Sequence, residues 1–221
     1  MSPAHRYRFT TRLDGDFAID SEPVALAERR RRMVDKPWTW LRQVHGSRVV
    51  TVERPGQHIG AEADGSVTAI RGAVLTVQTA DCAPVVLLGD GAGGPCVGVA
   101  HAGWRGLAAG IVETVVGALR ELGADELRAV VGPRIGPECY EFGAQDLDLL
   151  AARLGEDVRA RTPAGRPAFD LATGVRAALL GAGVERVDHE GGCTACDADQ
   201  YFSHRARRQD QRLAAVAWLA P

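Results

Sequence analysis

The stretch that most restricts how this chain can fold runs Pro95-Cys-Val-Gly-Val-Ala-His101-Ala-Gly-Trp104-Arg105-Gly-Leu107. Pro95 to Ala100 is an unbroken run of small apolar residues, the composition of a strand buried on both faces. From Leu107 onward, Ile111, Val115, Ala118 and Leu122 recur three or four apart, the spacing of a helix laid on a core. Between the two stand an imidazole, two glycines, a tryptophan and an arginine. Gly103 and Gly106 let the backbone turn sharply and bring its N–H groups close to a ligand, while the opening helix presents its positive dipole end to the same place. A strand-to-helix junction of this composition suits an anion or a metal.

At 221 residues the chain fits a single domain, 1–221, because no linker rich in Pro, Gly or Ser divides it. Its hydrophobic fraction of 46% is enough for a core. Charge is near balance, 26 basic against 28 acidic side chains, so no overall field draws nucleic acid or anionic lipid, and neither is expected as a partner. The opening residues, MSPAHRYRFTTRLDGD, hold no apolar signal segment, and no stretch approaches the roughly 18 apolar residues of a membrane span. A cytoplasmic protein is expected, and a monomer. Five cysteines without a secretion signal read as thiols rather than a disulfide framework.

In chain order, Tyr7 to Thr10 reads as a first strand and Pro23 to Val34 as a helix whose Arg29–Arg32 run forms a solvated face. Trp38 to His45 and Arg48 to Glu53 read as paired strands about a Gly46-Ser47 turn. Apolar strands follow at Ala73 to Thr79, Pro84 to Leu88 and Leu127 to Gly132. Helices are expected over Ala144 to Leu154 and between a capping Asp170 and Gly181, and closing strands at Val184 to Asp188 and Leu213 to Leu219. Strands outnumber helices and run consecutively, which predicts an α+β fold with mixed sheets flanked by helices rather than βαβ repetition. His5 and His58, in polar context, are expected at the surface.

Three polar residues end apolar strands and precede a Gly or Pro turn: His45 in Gln43-Val-His-Gly46, Cys82 in Thr79-Ala-Asp-Cys82 and His101 in the central run. Two imidazoles and a thiolate are a catalytic zinc set with a fourth position open to water. The same residues also suit a Cys–His nucleophile pair, or ordinary burial, and their wide spacing leaves the three readings open.

These motifs, together with Ala63-Asp-Gly65, His101-Ala-Gly-Trp-Arg-Gly106, Gly132-Pro-Arg-Ile-Gly136, Cys139-Tyr-Glu-Phe-Gly143, Cys193-Thr194 and Phe202-Ser203-His-Arg205, resemble the purine nucleoside phosphorylase family, also called the laccase-domain or polyphenol oxidase family, whose bacterial members include the peptidoglycan editing factor. The resemblance runs from about Trp40 to Trp218. It implies one α+β domain of two mixed sheets, a metal on His45, Cys82 and His101 that also serves catalysis, phosphorolysis of purine nucleosides, and adenosine deamination; the oxidase name implies copper. Two departures stand out. The segment before the first helix, Leu13 to Pro23, is much shorter than is usual in the family, which puts its substrate contacts in doubt. Near the C-terminus, Ser203-His204-Arg205 and Asp210-Gln211-Arg212 keep an arginine in each place but change its neighbours.

Around the metal ligands, Arg105 suits phosphate oxygens, though a surface salt bridge would also account for it. Asp64 suits a base or ribose as well as a plain Asx turn. Gln43, Cys139 and Tyr140 are candidate substrate contacts, and Asp81 is a candidate to orient a ligating histidine, or else caps its turn. Cys193 and Cys196 have Cys-x-x-Cys spacing, but with no second ligand pair nearby in sequence a structural zinc there is disfavoured.

The reading that results is a zinc-dependent enzyme, with copper as the alternative metal, that cleaves adenosine, inosine or methylthioadenosine with phosphate and also deaminates adenosine. A copper polyphenol oxidase would need on the order of ten imidazoles for a trinuclear cluster plus a blue-copper centre, against six histidines here. A Cys–His hydrolase acting on a peptidoglycan precursor is the other alternative. A binding protein without catalysis leaves the open ligand set unexplained.

Overall fold

In the computed structural model, which describes residues 4–220, the chain opens with β1 (His5–Phe9), a 3-10 turn at Arg12–Asp14 and helix α1 (Pro23–Met33). Short strands β2 (Trp38–Thr39) and β3 (Val49–Thr51) lead to β4 (Gly65–Thr68), β5 (Val74–Thr79), β6 (Ala83–Asp90) and β7 (Cys96–Ala102). Helices α2 (Trp104–Ala109) and α3 (Ile111–Glu121) follow, then β8 (Glu126–Val131) and α4 (Ala144–Leu154). The remainder is β9 (Arg159–Arg161), β10 (Pro167–Phe169), α5 (Leu171–Gly181), β11 (Arg186–His189), α6 (His204–Arg207) and β12 (Leu213–Leu219).

The strands form a six-stranded sheet ordered β11-β8-β6-β7-β4-β3, a four-stranded sheet ordered β1-β12-β5-β2, and a small β9/β10 pair. Both large sheets are mixed, with β11/β8, β3/β4 and β2/β5 parallel, so the α+β expectation holds. Side chains alternate between the faces of a strand, and this alternation sets the layers. On β6, Val85 and Leu87 enter a core with Leu107, Ile111, Val115, Leu150 and Val175 from the helices. Val86 and Leu88 turn the other way and pack with Val97, Val99, Leu75, Val77 and Ala217 of the second sheet. Each such side chain, fully buried, contributes roughly 1.5–3 kcal/mol. The far side of the four-stranded sheet is closed by α1, whose Leu26 packs with Phe17, Trp38, Val74 and Val216. Helix α3 approaches the six-stranded sheet closely because β4 carries Gly65, where a Cβ would lie 2.7 Å from Val115.

Four expectations are corrected. The helix foreseen from Leu107 to Leu122 is two helices, because Gly110 takes φ 88, ψ 32 and closes α2 with its N–H on the Gly106 and Leu107 carbonyls. The strands foreseen at 38–45 and 48–53 do not pair with each other. Instead β2 joins β5 in one sheet and β3 joins β4 in the other. The arginine run is also not uniformly solvated: Arg29 donates to the Asp16 carbonyl, and the Arg30 guanidinium lies over the Trp38 and Trp40 rings. His5 is buried rather than exposed, with its Nε2 3.0 Å from the Gly89 carbonyl oxygen.

Candidate metal centre and its cavity

The site is built around a carboxylate. Asp64, just before β4, is fully buried. Its Oδ2 accepts the N–H groups of Val44 at 3.2 Å and Gly46 at 2.8 Å, and its Oδ1 accepts that of His45 at 2.9 Å. Three successive amides gathered on one carboxylate cannot also pair in a ladder, which is why residues 44–46 leave the extended conformation. His45 is held at φ 59, a left-handed backbone uncommon in a non-glycine residue and fixed here by these contacts. Oδ1 also takes the Nδ1 of His101 at 2.9 Å, while the His101 N–H donates to the Asp64 carbonyl at 2.7 Å. One aspartate therefore positions both histidines. With Nδ1 committed to Asp64, His101 has Nε2 to offer a metal. Burial would raise the Asp64 pKa, but the His101 contact and the amides of Gly46 and Val44 hold it below the ordinary carboxylate range.

Cys82 lies in the turn from β5 to β6, directly after Asp81, whose φ is 101. Its Sγ is 3.9 Å from His45 Nε2, and the His45 and His101 rings stand 4.7 Å apart at 69°. One donor atom from each of His45, Cys82 and His101 lies within 4.8 Å of the others. Burial pushes the Cys82 thiol up, but the imidazoles of His101 and His45 outweigh it and bring the pKa down to about 6. Burial likewise disfavours the His101 imidazolium, and the Cys82 sulfur and Asp64 carboxylate overcome this, raising its pKa to about 9. Gly103 makes room for the cluster: a Cβ there would lie 2.9 Å from Cys82 Sγ and 3.1 Å from His45 Cδ2. Convergent soft and imidazole donors, an oriented tautomer and a cradle that admits no Cβ together fit a metal ion with three protein ligands.

The cluster opens into a cavity of about 600 Å³ lined in part by Leu41, Gln78, Tyr140, Arg42, Arg205, Arg208 and Arg212. Ala18, Ile19 and Asp20 also reach its wall, so the short segment before α1 still contributes to the mouth, anchored by buried Phe17.

Several residues singled out in the sequence sit differently from expectation. Asp64 is sealed beneath the ligands with both oxygens engaged, and so faces no ligand. Asp81, expected to orient a histidine, instead accepts from Thr194 Oγ1 and the Arg205 N–H, each at 2.7 Å. Arg105 is exposed, stacked 4.2 Å over Trp104, and is not part of the cavity lining. Gln43 lines the cavity, but its amide is spent on the Gln78 backbone, donating at 2.8 Å and accepting at 2.7 Å. Cys139 points away from the cavity toward Cys196, whereas Tyr140, its neighbour, lines it under the Arg205 guanidinium at 4.9 Å.

The arginine rim carries only a partial signal in the sequence. Arg205, Arg208 and Arg212 crowd eight residues, a density that separates them from scattered surface charge, but Arg42 carries no comparable signal.

The model of the family described as multi-copper polyphenol oxidoreductase laccase matches residues 9–220. The chain belongs to this family. A protein of Xylella fastidiosa named purine nucleoside phosphorylase is 40% identical over 213 residues, spanning 89% of this chain and 80% of that one. A Streptomyces coelicolor protein of the same name is 42% identical over 183 residues, 81% of this chain and 74% of that one. Among solved structures, a Neisseria meningitidis protein is similar with a TM-score of 0.87 and 27% identity, covering 100% of this chain and 96% of that one. The copper in the family's description meets a donor set of another kind: among the described residues, two groups of potential ligands converge, and together they contain only two histidines. A trinuclear copper cluster with a blue-copper centre needs on the order of ten.

Proposed function

We propose that this protein is a metal-dependent purine nucleoside phosphorylase, with zinc as its metal and adenosine deamination as a second activity on the same site. The observation that carries this reading is the pairing of a His45/Cys82/His101 donor set with an arginine rim on one cavity. Proteins that bear the name and share about two-fifths of their residues with this chain support it. Phosphorolysis joins a phosphate oxygen to the ribose C1′ as the bond from C1′ to the purine nitrogen breaks, giving ribose 1-phosphate and the free base. The barrier lies in separating an oxocarbenium-like sugar from a departing purine anion.

When bound, zinc supplies a Lewis acid with an open position and a water of lowered pKa. Asp64 keeps the proton of His101 on Nδ1, which leaves Nε2 for the metal. Arg205, backed by the Tyr140 ring and anchored on the Glu141 carbonyl at 3.2 Å, offers a planar fork of donors to a phosphate. Arg208 and Arg212 add positive charge at the same mouth. Tyr140 and Leu41 supply apolar wall against which a purine can lie.

The test is product analysis of adenosine, inosine and methylthioadenosine, with and without phosphate, on zinc-loaded protein. Free base and the matching sugar 1-phosphate (ribose 1-phosphate, or its 5-methylthio form from methylthioadenosine) forming only with phosphate are the expected result; cleavage indifferent to phosphate would refute phosphorolysis. The 3.9 Å contact of Cys82 with His45 also suits a thiolate nucleophile acting on an amide. Chelation separates the two readings, since it abolishes the metal-dependent reaction and exposes the thiolate.

A further inference from the structure

The fold gathers a second set of metal donors that its sequence spacing conceals. Cys139 ends a 3-10 turn at Pro137–Cys139, and Cys193 and Cys196 lie in the loop after β11. The two segments meet because Cys193 forms a parallel bridge with Arg134, with the Thr194 N–H donating to the Arg134 carbonyl at 3.0 Å. Cys139 Sγ is then 3.3 Å from Cys196 Sγ, and Cys196 Sγ is 3.3 Å from a carboxylate oxygen of Glu138. Cys193 Sγ accepts the Gly136 N–H at 3.1 Å. All four donor atoms lie within 4.8 Å of one another.

We propose that Glu138, Cys139, Cys193 and Cys196 bind one zinc ion as a structural site, separate from the His45/Cys82/His101 centre. Three sulfurs and one carboxylate complete a tetrahedral shell, and Cys193-x-x-Cys196 has the spacing of a zinc knuckle. Zinc bonded at about 2.3 Å to two sulfurs holds them about 3.8 Å apart, so the Cys139–Cys196 pair need open only slightly. A disulfide between those two would leave the third thiol and the carboxylate converging on nothing. Glu138 folds back over its own chain, its carboxylate oxygens lying in the space that a Cβ on residue 136 would take. The Gly136 N–H on Cys193 is the kind of outer bond that steadies a ligating thiolate. The cation draws the thiol protons into solvent on binding. Arg207, which donates to the Ala195 and Thr194 carbonyls at 2.9 and 2.8 Å, sets a positive charge beside the resulting anionic shell.

The position gives the ion a task. Tyr140 follows Cys139 on the cavity wall, and Thr194, between the two loop cysteines, donates to the Asp81 that precedes Cys82. A zinc clip here fixes the loop after β11, and the α6 segment bearing Arg205 beyond it, from behind the cavity.

The proposal is independent of the reaction, because its readout is metal content. Protein kept reduced and dialysed against zinc is weighed by native mass spectrometry, and its cobalt-substituted form is examined by absorption. Two zinc ions are expected in the parent, one in Cys82→Ser and one in the Cys139→Ser/Cys196→Ser double variant. In cobalt-loaded Cys82→Ser, thiolate-to-cobalt charge transfer can arise only from the second cluster, so this measurement decides the matter even if the double variant does not fold. Zinc lost entirely in Cys82→Ser, cobalt-loaded Cys82→Ser without thiolate absorption, or a Cys139–Cys196 disulfide in peptide maps of the zinc-dialysed protein would each overturn the site.

Discussion

Replacing Asp64 by asparagine tests the centre at the point where folding and metal binding meet. The carboxylate takes four contacts: the N–H groups of Val44 and Gly46 on one oxygen, that of His45 and the His101 Nδ1 on the other. An asparagine keeps one acceptor oxygen and puts an NH₂ donor in place of the other. If the NH₂ replaces Oδ2, two backbone donors face a third. If it replaces Oδ1, the His45 N–H is orphaned, and His101 can accept from the NH₂ only by moving its own proton to Nε2, the atom a metal needs. Each buried N–H without an acceptor costs about 1–3 kcal/mol, so the variant should lose about 1–6 kcal/mol for one or two such groups, out of a total that is typically about 5–15. Zinc affinity should also fall, by about 10- to 100-fold, the usual effect of losing a partner that orients a ligand. Urea titration gives the first quantity, and zinc competition against a chromophoric chelator gives the second. The sign with pH follows from the depressed pKa of Asp64. Its contribution is fully present above the unfolded value of 3.8 and is lost as pH falls through the lower folded value, a loss the asparagine variant should lack. An unchanged urea midpoint together with zinc affinity within twofold of the parent would refute the central role given to this carboxylate.

Three further outcomes are expected. Gly103→Ala has a backbone, φ −79 and ψ 167, that alanine accepts, so the protein should fold, but the new methyl group crowds Cys82 and His45 and zinc affinity should drop about tenfold or more; normal zinc binding would show that the cradle has slack. In metal-free protein, iodoacetamide should alkylate Cys82 nearly as fast at pH 7 as at pH 8.5 and slow down below about pH 6, with zinc protecting it; a rate still climbing tenfold per pH unit above pH 7 would contradict the depressed thiol. Arg205→Ala should lower kcat/KM for phosphorolysis by about 1.5–3 kcal/mol, the worth of a charge-assisted hydrogen bond, and adenosine deamination less, whereas Arg105→Ala should leave both nearly unchanged; the reverse ranking would return the anion site to the opening of α2.

What the chain determines locally was readable without a structure. Helix α4 and strand β12 run over the residues that their apolar spacing marks, and α5 starts after Asp170, whose Oδ1 accepts the Thr173 N–H at 3.0 Å, as a capping residue should. The His45, Cys82 and His101 donors were legible from their motifs. Their convergence was expected as well, but not the means of it: strands from β4 to β7 bring residues 19 to 37 apart in sequence onto the one carboxylate of Asp64. In sequence Asp64 suits a base or ribose as well as an Asx turn, and Asp81 suits orienting a histidine as well as capping its turn; only the buried surroundings of each carboxylate decide which amides or imidazoles it receives. The curl at 44–46 and the break at Gly110 arise in the same way: period and propensity favour continuing the strand or helix, and a buried acceptor or a left-handed glycine overrides them. Glu138 and Cys139 stand more than fifty residues from Cys193 and Cys196, so a spacing rule applied along the chain finds half a site. Sequence carries propensity and donor chemistry along the chain, but which donors face one another is fixed by sheet register and loop packing, which act between residues that have no neighbour relation until the chain has folded.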